Sequence, residues 1–100
     1  MLCLRGADKG VAAMTRIFVR HQVNDYEAWR KVYDDFDREA LGVTAHVVYR
    51  GVDDPNDVTV SHDLESPDAA KRFLESPELG EAMQRAGVAG EPTIWITEEA

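Results

Sequence analysis

Two strand-like runs, Thr44–Arg50 (TAHVVYR) and Val58–Leu64 (VTVSHDL), are separated by only seven residues, GVDDPND. Parallel neighbours need a crossover of about a dozen residues or more, so these runs can pair directly only as an antiparallel hairpin. The proline, aspartates and asparagine between them suit a surface turn. The elements on either side must therefore pack onto an antiparallel sheet.

Before the hairpin, Thr15–Val23 (TRIFVRHQV) is rich in β-branched and aromatic residues and reads as the first strand. Asn24 is placed to cap a helix, with Glu27 three residues on completing a capping box. Tyr26, Trp29, Tyr33, Phe36 and Ala40 recur at spacings of three and four. They predict an amphipathic helix running to about Ala40, closed by Gly42. After the hairpin, Ser66-Pro67-Asp68 and Ser76-Pro77-Glu78 each carry a cap, a first-turn proline and an acid. The second of these helices continues to Gly87. Following the Gly90-Glu91-Pro92 break, Thr93–Thr97 (TIWIT) predicts the last strand.

The order β-α-β-β-α-β, with the second helical stretch split in two, is the ferredoxin-like α+β arrangement: two interlocked βαβ halves in one four-stranded antiparallel sheet. Helices cover one face of such a sheet, and the other should be polar. Here Ile17, Val19, His21, Val48, Val58, Val60 and Leu64 share one face, yet the opposite face still holds Phe18, Val47 and Tyr49. Trp95 belongs to one face and its neighbours Ile94 and Ile96 to the other. Both faces therefore need covering, and a second copy packed sheet to sheet would cover the open one and enclose a ligand-sized cavity between the sheets.

One hundred residues accommodate a single domain, which buries too little surface to make extra stability from dimerisation unwelcome. Nineteen acids against eleven bases leave a formal net charge of −8 with no basic cluster, which argues against nucleic acid and anionic membranes as partners. No apolar run is long enough to span a bilayer. The single cysteine, Cys3, allows no intrachain disulfide and points to a reducing, cytoplasmic compartment. Residues 1–14 lack a continuous apolar core of the secretory type and read as a flexible extension, or as sequence ahead of a true start at Met14, leaving 15–100 as the domain.

Over residues 15–98 the chain resembles the dimeric α/β-barrel superfamily, in particular its antibiotic-biosynthesis-monooxygenase-like and "cyclase"-labelled small proteins. The resemblance is carried by IFVRHQV in strand one, by GVTAHVVYR leading into strand two, and by LESPDAAKRFLESPELGEAM after strand three. It implies the barrel-type homodimer. It does not imply one chemistry, because the fold hosts oxygenases, isomerases, haem degraders and proteins without known activity. Haem-degrading members use an asparagine on strand one, a tryptophan on the second helix and a ligating histidine after it. By the resemblance these places fall near Val19, Phe73 and Ala82 or Met83. None of those residue types is kept, so no haem is expected. Phe73 remains a candidate for lining a pocket as the tryptophan does, or for simple core packing.

The chemistry-bearing feature is the placement of three histidines, His21, His46 and His62, in strands one, two and three. A symmetric hairpin sets His46 opposite His62, and strand one brings His21 within reach of them. Three imidazoles on one face suit acid/base or orienting roles toward a bound enol or phenol. They suit a metal less well, since no two have short ligand spacing, and strand histidines also serve as ordinary core residues. Arg20 and Asp63 fall on the opposite face. They read as an ion pair covering the sheet or as groups orienting a ligand, with Tyr49 as a hydrogen-bond donor on that face. No phosphate loop, dinucleotide fingerprint, nucleophile elbow or CxxC is present.

The expectation is a cofactor-independent homodimeric enzyme, a monooxygenase, isomerase or cyclase, acting on a small aromatic or polyketide-like molecule. The alternatives are a non-catalytic ligand-binding or accessory dimer and a purely structural one. The catalytic expectation needs a histidine facing a cavity of about a few hundred Å³. Burial of all three against the helices would remove it.

Overall fold

The computed structural model describes residues 15–100, so the expectations for residues 1–14 lie outside the described residues. The elements are β1 (Thr15–Val23), α1 (Tyr26–Asp35), a 3-10 turn (Glu39–Leu41), β2 (Ala45–Arg50), β3 (Asp57–Leu64), α2 (Pro67–Glu75), α3 (Pro77–Arg85) and β4 (Val88–Glu98). They build one antiparallel sheet in the order β2-β3-β1-β4, the ferredoxin-like topology. No helix among the described residues is long and apolar enough to cross a membrane.

The hairpin has the register anticipated from its turn: His46 faces His62 and Arg50 faces Val58. Three expectations around α1 are corrected. Helix α1 is capped by Asp25 rather than Asn24, the Asp25 side chain accepting from the Glu27 amide. The Asn24 amide is already committed to the Gly87 carbonyl. Helix α1 also stops at Asp35 rather than near Ala40, with Phe36 extended. Asp34 and Asp35 crowd the negative end of the helix dipole, and Asp37 starts the 3-10 turn by accepting from the Ala40 amide. Gly42, at φ 95°, closes that turn rather than α1.

Strand β4 is longer than Thr93–Thr97 and runs through Gly90-Glu91-Pro92. Its pairing with β1 jumps from Arg20–Thr93 to Gln22–Ala89, so these residues form a bulge opposite His21. A proline is tolerated there because β4 is an edge strand, and Gly90 supplies the positive φ of 72°. Ser66 and Ser76 cap α2 and α3 as expected, and Ser76 also ends α2.

All three helices lie on one sheet face. Ile17, Val19, Val58, Val60 and Leu64 from the sheet pack there against Trp29, Tyr33, Ala70 and Phe73. The open face is ordered in cross-strand rows. The middle row, Val47–Ser61–Phe18–Trp95, is flanked by Ala45–Asp63–Arg16–Thr97 and Tyr49–Thr59–Arg20–Thr93. Trp95 therefore belongs to the open face and stacks on Phe18 with ring centroids 5.3 Å apart. Val47, Tyr49 and Trp95 are exposed.

Candidate functional site

Strand alternation turns Val19, His21, Val60 and His62 toward the helices, and the 3.6-residue period of α1 sets Trp29 and Tyr33 one turn apart above them. These residues, with Phe73 of α2 and Ala82 of α3, line an apolar hollow between sheet and helix layer. The histidines thus face the helix side of the sheet, and the hollow they share lies within the chain's own two layers. A face assignment by parity alone leaves open which face the helices take.

The histidines do not form a three-membered cluster. His46 and His62 are cross-strand neighbours with ring centroids 6.4 Å apart. His21 faces Val58, four residues along β3 from His62, or about 13 Å at the rise of a strand. It sits at the other end of the hollow, its ring 5.7 Å from that of Trp29. An aromatic wall connects the ends. Trp29 stacks on Tyr33 at 4.8 Å, Tyr33 lies 6.2 Å from His62, and His62 lies 5.1 Å from Phe73.

His21 and His62 are buried, 6% and 4% exposed, against Trp29 and against Tyr33 and Phe73. Neither ring nitrogen of either residue has a hydrogen-bond partner in the protein. Unpaired buried polar groups cost about 1–3 kcal/mol each, which a ligand or water in the hollow would relieve. Burial lowers the basicity of both. His21 is pushed down by desolvation against a weaker opposing pull from Asp57. His62 is pushed down to about 4, first by burial and then by the charges of Arg38 and His46. Both are neutral at pH 7, each offering one N–H donor and one nitrogen acceptor.

His46 is exposed at the edge of the sheet and outside the hollow. Its Nδ1 lies 2.7 Å from the Tyr33 hydroxyl. Desolvation, then Arg38 and Arg30, lower its basicity, whereas burial raises the pKa of Tyr33. Two of the three histidines are therefore buried against helices, but there they line a hollow rather than solid core. That hollow has a volume of about 50 Å³, well below the few hundred Å³ set as a requirement. A fused-ring ligand needs the helix layer to move outward.

Arg20, Tyr49 and Asp63 lie on the open face, away from the hollow, whereas Phe73 lines it. Arg20 and Asp63 do not pair with each other, because Asp63 lies two cross-strand rows from Arg20 whereas Asp57 lies one row away on the other side. Arg20 forms a bidentate pair with Asp57, and Arg16 one with Asp63, at 2.6–3.0 Å. Each arginine holds its carboxyl partner below the usual carboxylate range. Among the described residues no three His, Cys, Asp or Glu side chains converge as a metal site would require.

Residue-type reasoning passed over Trp29, Tyr33 and Arg38. The first two appeared as members of the α1 stripe, and only their adjacency to the histidines distinguishes them from packing residues. Arg38 carried no sequence signal beyond its place after the helix.

The sequence matches no protein-family profile and no curated protein. The fold matches that of antibiotic-biosynthesis-monooxygenase-like proteins over about 90% of the chain. A conserved protein from Methanosarcina mazei superposes with a TM-score of 0.72 at 15% identity, covering 90% of this chain and 96% of that one. A candidate antibiotic biosynthesis monooxygenase from Caulobacter crescentus gives 0.71 at 17% identity, covering 90% and 92%. SnoaB from Streptomyces nogalater, a cofactor-independent oxygenase, gives 0.65 at 18% identity, covering 89% and 97%. At these identities the likeness is one of fold.

Proposed function

We propose that this chain is a cytoplasmic homodimeric enzyme working without a cofactor on a small planar hydroxyarene, held between its own sheet and helices. The observation that carries this reading is the pair His21 and His62: two neutral imidazoles, buried without protein partners, at opposite ends of an otherwise apolar, aromatic-walled hollow. Aromatic walls suit a flat ring system, and a polar group at each end suits oxygens at each end of it. A neutral imidazole can accept a proton; His62, at about 4, is the weak base of the two, whereas at His21 the pull of Asp57 opposes the loss of basicity.

In the oxygenase version, an imidazole takes the proton from an acidic ring CH2 and the resulting carbanion gives its electrons to O2. The ring carbon becomes C=O and water leaves. In the isomerase or cyclase version the proton returns to another atom of the ligand. The fold likeness to SnoaB favours the first version. Dimerisation through the open face accounts for the exposed Val47, Tyr49 and Trp95.

The small volume of the hollow favours a second reading, a binding or accessory dimer whose pocket opens without catalysis. Histidine NMR titration with and without 1-naphthol, together with oxygen uptake on anthrone, the keto form of a hydroxyarene with an acidic ring CH2, separates the two. Ligand-dependent shifts at His21 and His62 with protein-dependent oxygen uptake support the enzyme. The same shifts without turnover, whether by oxygen uptake or by ligand isomerisation, support the binding dimer. Histidines indifferent to every hydroxynaphthalene refute both.

A further inference from the structure

The hollow is electrically lopsided. Arg30 on α1 is neutralised by Asp34 at 3.0 Å, and across the sheet, on the open face, Arg16 and Arg20 are neutralised by Asp63 and Asp57 at 2.6 and 2.7 Å. Arg38 is different. Its guanidinium carbon lies 4.0 Å from the centre of the Tyr33 ring, and its Nη1 donates to the Tyr33 carbonyl. Among the described residues it has no carboxylate within ion-pair distance, and its Nε is buried without a partner. The cation is thus fixed behind the aromatic wall, at the end of the hollow where Tyr33, His46 and His62 meet. At the other end Arg50, also without a carboxylate among the described residues, lies 3.8 Å from the centre of the Tyr26 ring and donates to the Pro55 carbonyl, but Tyr26 does not line the hollow. The charge acting on His21 is that of Asp57, already held by Arg20.

An uncompensated charge behind a low-dielectric wall acts over several ångströms with little screening. The overall charge of −8 belongs to the solvated surface, where salt damps it. We propose that Arg38 makes the pocket selective for a planar hydroxyarene bound as its anion, with the ionised oxygen at the His62–Tyr33 end and an uncharged hydrogen-bond acceptor at the His21 end. This rests on the reading of the hollow as a ligand pocket and adds the ligand's charge and its orientation. The other charged or titratable groups around that end are His46 and Asp63 beside His62, Glu39 near His46, and Arg30 with Asp34 on α1. Asp37 shares a surface crevice with Arg38 and His46 and accepts from the Ala40 amide. Of these carboxylates Asp34 and Asp63 are ion-paired, and among the described residues Asp37 and Glu39 are not.

The probe for this is 4-nitro-1-naphthol, a fused-ring phenol with an acceptor on the same ring, para to the hydroxyl, whose anion is coloured. Its bound pKa is read from visible absorbance in the wild type and in Arg38→Gln, Arg38→Lys and Arg30→Gln. 1-Nitronaphthalene, which lacks the hydroxyl, serves as the uncharged comparison. The expected result in Arg38→Gln is a rise in the bound pKa of about one unit, with about tenfold weaker binding of the anion. 1-Nitronaphthalene should bind within about twofold of wild type, Arg38→Lys should restore most of the effect, and Arg30→Gln should have little.

Proton NOEs from the bound probe to the histidine rings test orientation in the wild type alone, and so remain decisive if the Arg38 variants misfold. The ring proton beside the hydroxyl should contact His62 and the one beside the nitro group His21. A reversed orientation, or a bound pKa unmoved by Arg38→Gln, overturns the proposal while leaving the pocket intact. Binding of neither probe removes the pocket reading, and this proposal with it.

Discussion

The Tyr33 hydroxyl lies 2.7 Å from Nδ1 of His46, joining the covering helix α1 to the edge strand β2. Burial keeps the phenol protonated, and desolvation, helped by the nearby Arg38 and Arg30, keeps the imidazole neutral. Tyr33 therefore donates, and His46 carries its own proton on Nε2. Nitrogen-15 chemical shifts should find that single tautomer at pH 7. Tyr33→Phe should return His46 to a tautomer mixture at a cost of about 1 kcal/mol, read by urea denaturation. An unchanged His46 spectrum in that variant would mean the bond does not form in solution.

His62 should shape the acid limb of the stability curve. A histidine whose folded pKa is pushed down binds protons more readily when unfolded, so its stabilising effect is complete above about pH 6.5. As the pH falls from there toward about 4, stability should drop by on the order of 3 kcal/mol. The carboxyl groups of Asp57 and Asp63 are pushed the other way, below their ordinary range, and their contribution is lost only at lower pH. His62→Leu should remove most of the drop between about pH 6.5 and 4, leave the smaller share of His21 and His46, and keep the lower limb in place. Denaturant midpoints across that range decide it.

Phe73 is 1% exposed and closes the hollow against His62 from α2. Phe73→Ala should cost about 3–5 kcal/mol and lower Tm by on the order of 15 °C. A loss below about 1 kcal/mol would mean that α2 already rides loosely on the sheet. That outcome would itself provide the opening a fused-ring ligand needs.

The open face should mediate self-association. Trp95→Glu places a charge in the middle of the Val47–Ser61–Phe18–Trp95 row and should convert a dimer to a monomer in sedimentation experiments. Val52→Ser, in the fully exposed hairpin turn and away from that row, should leave the association unchanged. A wild-type monomer at tens of micromolar would remove the dimer from the proposed function.

Local signals in this chain carried far where the physics is local. The seven-residue turn set the hairpin register, and the serines ahead of Pro67 and Pro77 set two helix starts. Errors arose where two local candidates competed. Asp25 displaced Asn24 as the cap, and the paired acids at Asp34 and Asp35 ended α1 a turn early. The edge position of β4 let it absorb a proline that would stop a central strand.

The site was legible only in part. That His46 and His62 are neighbours follows from pairing alone, because opposed residues share a face. Which face meets the helices does not follow, since both carry large apolar groups. His21 was expected beside the other two because β1 adjoins β3, but the stagger of that ladder sets it against Val58.

By itself, then, the sequence determined the element order, the antiparallel hairpin and the absence of nucleotide-loop and CxxC motifs, all of which depend on short-range spacing. Only the tertiary structure decided that two imidazoles are buried without partners, that Tyr33 and Trp29 wall the space between them, and that Arg38 stands behind that wall without a carboxylate. These depend on how helices lie across a sheet. That arrangement is governed by side-chain volumes and ladder stagger summed over the whole layer, which no local pattern records.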